Sequence, residues 1–255
     1  MTTSCTPIPQ DNDAPTSCCQ PADVTVWWWD IPTGTYDPAD LPLLDGAERE
    51  RLQRLRTPES KAIYVTCRAA VRRILSGALQ VAPEELEFGR LPCPGCASPE
   101  HGPPTVLRPA TDLRISITHT TGLGMLAVAP VPVGVDAEGA KNLDVEELAR
   151  PTLTPEERQY VLSRPPGEER TRAFLRCWTR KEAVLKAVGI GITVELNTLE
   201  TGPASEGPVT VAAGVEGGPA EWAVRQIPAP EGWSAALALP AGTRPNLRVR
   251  KWPTG

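Results

Sequence analysis

Two carboxylates, Asp136 and Glu138, stand at i and i+2 in Gly134-Val135-Asp136-Ala137-Glu138, a segment that reads as β-strand. Strand side chains alternate between faces, so the two acids point the same way. Further on, Trp178-Thr179-Arg180-Lys181-Glu182-Ala183-Val184-Leu185-Lys186 reads as helix. Trp178, Glu182 and Lys186 recur every four residues and therefore share one side. Three carboxylates and a lysine brought together suit a hard divalent cation that keeps several waters and holds a phosphate. The chemistry implied is metal-assisted phosphoryl chemistry.

The helical wheel sharpens this. With Phe174 as zero, Trp178, Leu185 and Val188 stay within about 40° of one another's stripe, while Glu182 falls near roughly 80° and Lys186 near roughly 120°. An acid on the border of a buried stripe faces a crevice, where a neighbouring metal offsets the cost of desolvating it. Taken alone, Lys181, Glu182 and Lys186 read as an ordinary solvated helix face, and Asp-x-Glu as a strand end. Their joint appearance beside Trp178 and a terminal glycine favours the site.

The elements that must position these groups are legible in outline. Val24 to Trp29 is a strand with aromatic packing on both faces. Ala47 to Arg56 is a charged helix, and Pro58 opens another that runs to about Leu79 with Ile63, Cys67, Ala70, Val71, Ile74 and Leu75 as its apolar stripe. Pro83 to Phe88 leads towards a strand, and residues 90–110 read as a Pro-, Gly- and Cys-rich loop. Ile115 to Thr120 alternates as a strand and turns through Thr121-Gly122-Leu123-Gly124 into a hairpin partner ending near Val128. Val133 to Glu138 is the strand that leads out of it.

Thr154-Pro155-Glu156-Glu157 is a helix start with a threonine cap, and Pro165-Pro166-Gly167 breaks that helix. Glu168 to Val188 is the long helix, stopped by Gly189. Short strands are expected near 192–199, 208–212, 221–227 and 234–239, with an irregular tail from Pro240. Residues 1–22, rich in Thr, Pro, Cys and Asp, are expected to be disordered. Strand-helix-strand order occurs twice, which divides the chain into an N-terminal lobe, 23–128, and a C-terminal lobe, 129–255, that carries the carboxylates.

Composition narrows the class. The 255 residues are 40% hydrophobic, enough for a core, and the net charge of −5 argues against bulk nucleic-acid binding. No apolar run is long enough to span a bilayer, and no signal pattern opens the chain, so a cytoplasmic protein without membrane attachment is expected. Seven cysteines in such a compartment imply no disulfide framework.

Gly-Val-Asp-x-Glu followed by Trp-x-x-Lys-Glu-Ala-x-x-Lys-x-x-Gly resembles the 4′-phosphopantetheinyl transferase superfamily in its longer, Sfp-type form. The strand Ile115-Ser116-Ile117-Thr118-His119-Thr120 and the helix segment Arg68-Ala69-Ala70-Val71-Arg72 look similar too, so the likeness covers roughly residues 45–190. It implies an α+β fold of two similar lobes related by a pseudo-twofold axis, each a long helix on a small antiparallel sheet, with the site in the cleft between them. It also implies a monomer. The implied reaction moves the phosphopantetheine arm of coenzyme A to a serine of an apo acyl or peptidyl carrier protein and releases 3′,5′-ADP.

By the same resemblance Asp136, Glu138 and Glu182 would coordinate Mg²⁺ on the pyrophosphate of coenzyme A. Lys186 would hold a phosphate oxygen, and Thr118 and His119 would contact phosphates. Glu182 would take the serine proton, directly or through a metal-bound water. Lys181, Arg56 and Lys61 complete the expected cofactor contacts. Several positions depart from the family pattern. Thr118 and Thr120 replace serines and keep the hydroxyls, Ala137 replaces a larger aliphatic, Pro103 stands where a basic residue is usual, and Ile63 stands where an arginine is frequent.

Two other features stand out. Cys93-x-x-Cys96 with His101 resembles half of a zinc site, yet no fourth ligand lies nearby, and a plain Pro/Gly loop is the preferred reading. Arg49, Arg51, Arg54 and Arg56 would either attract an acidic carrier or the 3′-phosphate of coenzyme A, or form a solvated helix face.

Overall fold

The first strand, β1 (Pro21–Asp30), divides its side chains by parity. Ala22, Val24, Val26 and Trp28 pack into one hydrophobic layer, Trp27 and Trp29 into another. That double burial makes it an interior strand. It was traced in a computed structural model that describes residues 21–140, 143–191, 194–215 and 217–253. Residues 1–20 of the expected disordered tail lie outside the described residues, whereas Pro21 and Ala22 already belong to β1.

Next in the chain come α1 (Gly46–Arg54) and α2 (Pro58–Leu79). After them follow β2 (Glu87–Arg90), β3 (Pro104–Arg108), the hairpin β4 (Arg114–Thr120) and β5 (Leu123–Ala129), and then β6 (Gly134–Gly139). Helices α3 (Val145–Thr152), α4 (Pro155–Leu162) and α5 (Glu168–Val188) precede β7 (Val209–Ala212), β8 (Glu221–Gln226), β9 (Trp233–Pro240) and β10 (Arg244–Lys251). The helix ends follow local chemistry. Thr57 caps α2 by accepting the Ser60 N–H with Pro58 behind it, and Thr154 with Glu157 forms a reciprocal capping box on α4. Gly189, at φ +84°, closes α5 in the left-handed conformation that glycine adopts without strain.

One four-stranded sheet runs β10-β1-β5-β4 and a second runs β6-β9-β8-β7; β2 and β3 form a separate ribbon. All pairings are antiparallel except β1 with β10. Val24, Val26, Met125 and Ala127 from the first sheet pack against Val135, Ala137, Ala235 and Leu237 from the second. α2 covers the outer face of the first sheet through Cys67, Val71, Ile74 and Leu75; α5 covers the second through Val184, Leu185 and Val188. The architecture is mixed α+β, layered helix, sheet, sheet, helix.

Three expectations are corrected here. The stretch 90–110 is not all loop, since β3 pairs with β2 and Arg90 lies opposite Pro104. In place of a strand near 192–199, Leu196–Thr198 is a 3₁₀ turn, with residues 192 and 193 outside the described set. The tail beyond Pro240 is ordered as β10, which returns to pair in parallel with β1. Among the described residues no helix is long and apolar enough to cross a membrane.

Two glycines set how closely the layers approach. A Cβ on Gly134 would lie 1.9 Å from the Ala183 carbonyl oxygen and 2.5 Å from the Ala187 nitrogen, so β6 and α5 touch backbone to backbone there. That contact brings the strand carrying Asp136 and Glu138 against the helix carrying Glu182 and Lys186. A Cβ on Gly124 would lie 2.4 Å from the Trp29 ring, so glycine leaves the space that the buried indole fills.

Candidate active site

β4 and β6 are the facing edges of the two sheets, and side chains stitch them together. The Val135 N–H donates to Ser116 Oγ at 3.0 Å, and Thr118 Oγ1 donates to Asp136 Oδ1 at 3.0 Å. From α5, Lys186 Nζ donates to the same Asp136 oxygen at 2.6 Å. Asp136 is 2% exposed, and its second oxygen, Oδ2, is buried without a partner. An orphaned carboxylate oxygen at such depth costs stability unless a cation or donor reaches it.

Glu138 and Glu182 feel the same cluster. Burial, then the neighbouring Asp136, push the Glu138 carboxyl up to about 7; Lys186 opposes this and Glu182 adds to it. Burial and Asp136 also raise Glu182, with Lys186 opposing. Glu138 and Glu182, both raised by the neighbouring Asp136 with its orphaned oxygen, make a hard-oxygen donor set short of positive charge, and this fits a Mg²⁺-type ion. The set is loose, however. Among the described residues only Cys93, Cys96 and His101 place three potential ligand atoms within 4.8 Å of one another.

Lys186 connects the cluster to a cleft of about 510 Å³ between α2 and the β4 edge, with His119, Lys186, Arg51, Arg68 and Arg90 among its lining residues. Burial, then Lys186 and Arg68, lower the His119 pKa, so its imidazole is neutral near pH 7 and surrounded by cations. Structure holds these cations in place. Glu48 binds both Arg72, at 2.8 Å, and Arg68, at 3.5 Å, which ties α1 to α2. Arg51 and Arg68 each stack on Tyr64, and Arg90 donates to the Gly102 carbonyl at 2.8 Å. On an acidic chain this is a local cationic pocket suited to a polyphosphorylated ligand.

The expected site residues therefore separate. Asp136, Glu138, Glu182, Lys186, Thr118 and His119 come together. Arg56 and Lys61 do not line the cleft, and Ile63 does, while Arg51, Arg68 and Arg90 supply the positive charge. Arg90 was hidden because the segment after it reads as loop; its place opposite Pro104 puts an arginine beside the position where Pro103 lacks one. Lys181 is withdrawn from any cofactor. It is fully buried, paired with Glu157 at 2.5 Å, and donates to the carbonyls of Leu196 and Leu199 at 2.8 and 2.6 Å.

The raised Glu138 pKa gives a signed prediction. Between about pH 4.5 and 7 the folded chain keeps a proton that the unfolded chain has released, so metal-free stability falls as pH rises through that window. Thermal unfolding of chelator-treated protein should show this decline, Glu138→Gln should flatten it, and Mg²⁺ at the upper end should reverse it. Identical profiles for the two proteins would remove Glu138 from the cluster.

Comparison with known proteins agrees with the geometry. The family model described as 4′-phosphopantetheinyl transferase superfamily matches residues 132–238, the span from β6 to β9 that contains all three acids and Lys186. A Synechocystis sp. protein whose name assigns it provisionally as a 4′-phosphopantetheinyl transferase is 30% identical over 63% of this chain and 65% of its own length. The 4′-phosphopantetheinyl transferase HetI of Nostoc sp. is 32% identical over 63% of this chain and 68% of its own. The 4′-phosphopantetheinyl transferase Sfp of Bacillus subtilis is 23% identical over 67% and 71%. The matched part thus spans about two thirds of these relatives. On the HetI match and on the family model, whose span contains the acids, the chain belongs to the 4′-phosphopantetheinyl transferase superfamily.

Proposed function

We propose that this protein is a transferase that moves the 4′-phosphopantetheine arm of coenzyme A to a serine hydroxyl of an apo acyl or peptidyl carrier protein, with Mg²⁺, releasing 3′,5′-ADP. One observation carries this reading: the buried Asp136, with its orphaned oxygen, binds Lys186, which lines a cationic cleft. Asp136, Glu138 and Glu182 would hold the Mg²⁺. When bound, the ion supplies positive charge to the pyrophosphate as its bridging bond breaks.

The chain's own residues do the rest. Lys186 and the arginines at 51, 68 and 90 bind and orient the phosphates as fixed charges, and the Thr118 hydroxyl keeps Asp136 in register. Glu182, from α5 in the same cluster, accepts the serine proton. The serine oxygen then forms a bond to the phosphorus that bears the pantetheine arm, and the bond from that phosphorus to the bridging oxygen breaks. Its electron pair leaves with 3′,5′-ADP.

In the same reading the helix-on-sheet units, 23–128 and 129–255 with β10 returned to the first sheet, are similar lobes related by a pseudo-twofold axis. The protein acts as a cytoplasmic monomer. Incubation with coenzyme A, Mg²⁺ and an apo carrier should add one phosphopantetheine to the carrier's intact mass, and chelator should stop it. Nucleotide release without carrier modification would make the protein a hydrolase, and neither product would leave a binding module.

A further inference from the structure

The connection from β2 to β3 holds chemistry that the proposed reaction does not use. Within it the Cys93 N–H donates to the Ser98 carbonyl at 2.8 Å and the Ala97 N–H to the Cys93 carbonyl at 2.7 Å. Ala97 adopts φ +59°, a left-handed conformation uncommon for a residue with a Cβ. The N–H groups of Gly95 and Cys96 donate to the Cys93 sulfur. Cys96 Sγ lies 3.3 Å from His101 Nε2, and the ligand atoms of Cys93, Cys96 and His101 all lie within 4.8 Å of one another. All of these contacts converge on two sulfurs and one imidazole nitrogen.

We propose that Cys93, Cys96 and His101 form a binding site for a single zinc ion. Tetrahedral zinc with Zn–S near about 2.3 Å and Zn–N near about 2.0 Å puts neighbouring ligand atoms roughly 3.5–3.8 Å apart. The three atoms already lie within 4.8 Å of one another, and Cys96 Sγ and His101 Nε2 are 3.3 Å apart, without an ion to gather them. Zinc requires thiolates, and amide donors aimed at a sulfur favour the thiolate over the thiol. Burial works against ionisation of Cys93, but the Gly95 and Cys96 donors outweigh it and lower its pKa. Two soft sulfurs and an imidazole select zinc over the hard cation of the carboxylate cluster.

Cys93 is buried while Cys96 and His101 are exposed, so the ion sits at the rim with its fourth position turned to solvent and filled by water. The loop rests on the end of α5. A Cβ on Gly95 would meet Ile190 at 3.4 Å, and one on Gly189 would meet Pro103 at 3.0 Å. A Cβ on Gly102 would lie 1.8 Å from the Leu91 carbonyl oxygen, so the loop is pinched shut at its base, next to Arg90 on the cleft. The ion is a clip that fixes this connection on the helix bearing Glu182 and Lys186.

The test uses the full chain, reduced and stripped of metal, titrated with zinc against a chromogenic chelator and separately with Co²⁺ as a spectroscopic probe. About one zinc per chain is expected, with a thiolate-to-cobalt charge-transfer band that oxygen ligands at the carboxylate cluster cannot produce. Cys96→Ser, a change at an exposed position, should weaken the band, since only the Cys93 thiolate remains. His101→Ala should weaken zinc at least about tenfold, the scale on which even outer-shell partners act. Cys5, Cys18 and Cys19, replaced together by serine, should leave both readouts unchanged. Absence of the charge-transfer band in the reduced chain, its persistence at full strength in Cys96→Ser, or its loss in the triple serine variant would each overturn the site. The readouts are metal content and spectrum, so they stand apart from any result on transfer.

Discussion

Asp136→Ala should slow carrier modification by roughly 10²–10³-fold, the scale on which a single preorganised electrostatic group acts, and should leave the fold standing. The structural cost is small because the native carboxylate is already strained electrostatically. It raises the pKa of Glu138 and Glu182, and one of its own oxygens has no partner. Lys186, with about 29% of its side chain exposed, loses one partner but keeps access to solvent. Only the Thr118 hydroxyl is left buried without its acceptor. Thermal unfolding without metal should therefore match the parent protein closely, while the upward shift on adding Mg²⁺ should vanish.

Glu182→Gln separates two roles within the same cluster. An amide of equal size still offers an oxygen to a cation but takes up no proton at neutral pH. If Glu182 is the proton acceptor, transfer falls although Mg²⁺ still raises the melting temperature. Carrier modification by Asp136→Ala within tenfold of the parent rate would sink the metal-cluster assignment, whatever Glu182→Gln shows.

Much of this arrangement could be read from the chain, and the exceptions have physical causes. The bounds of α2 and α5 were legible because caps and breakers sit at their ends: Thr57 and Pro58 on one, Gly167 and Gly189 on the other. Asp136 and Glu138 were legible because a strand has period two. β10 was missed although Leu247 and Val249 alternate with Arg248 and Arg250. Its pairing partner, β1, lies at the other end of the chain, and no local pattern reports such a pairing. β3 was missed because Pro104 opens it, and a proline reads as loop unless the strand is known to begin there.

Cofactor contacts were the least legible part. Arg51 and Arg68 come from α1 and α2, and only tertiary packing, through Glu48, selects them over Arg56 and Lys61. The cysteine loop shows the same limit, since spacing supplied the ligand types but only the turn at Ala97 brings His101 to Cys96.

Lys181→Met should destabilise the protein by about 3–5 kcal/mol, the usual result of stranding one member of a buried ion pair. Lys181 and Glu157 are each 0% exposed in their side chains and lie 2.5 Å apart. Without the ammonium, Glu157 is left in the interior with only the Thr201 N–H and hydroxyl and the Thr154 N–H as donors. The carbonyls of Leu196 and Leu199 also lose their donor. On the wheel used to place Glu182, Lys181 falls at about −20°, in the middle of the apolar stripe, a position that its reading as a cofactor contact passed over. Its sequence proximity to Glu182 is no guide to its role, since adjacent helical residues point about 100° apart.

The double variant Lys181→Met/Glu157→Gln should recover most of the loss, because the uncompensated charge is gone while an amide oxygen still serves Thr201. Urea unfolding of the two single variants and the double variant gives the coupling directly. Coenzyme A dependence of the folded fraction should be unchanged in Lys181→Met. A variant that unfolds like the parent but binds coenzyme A weakly would return Lys181 to the cleft and contradict its burial.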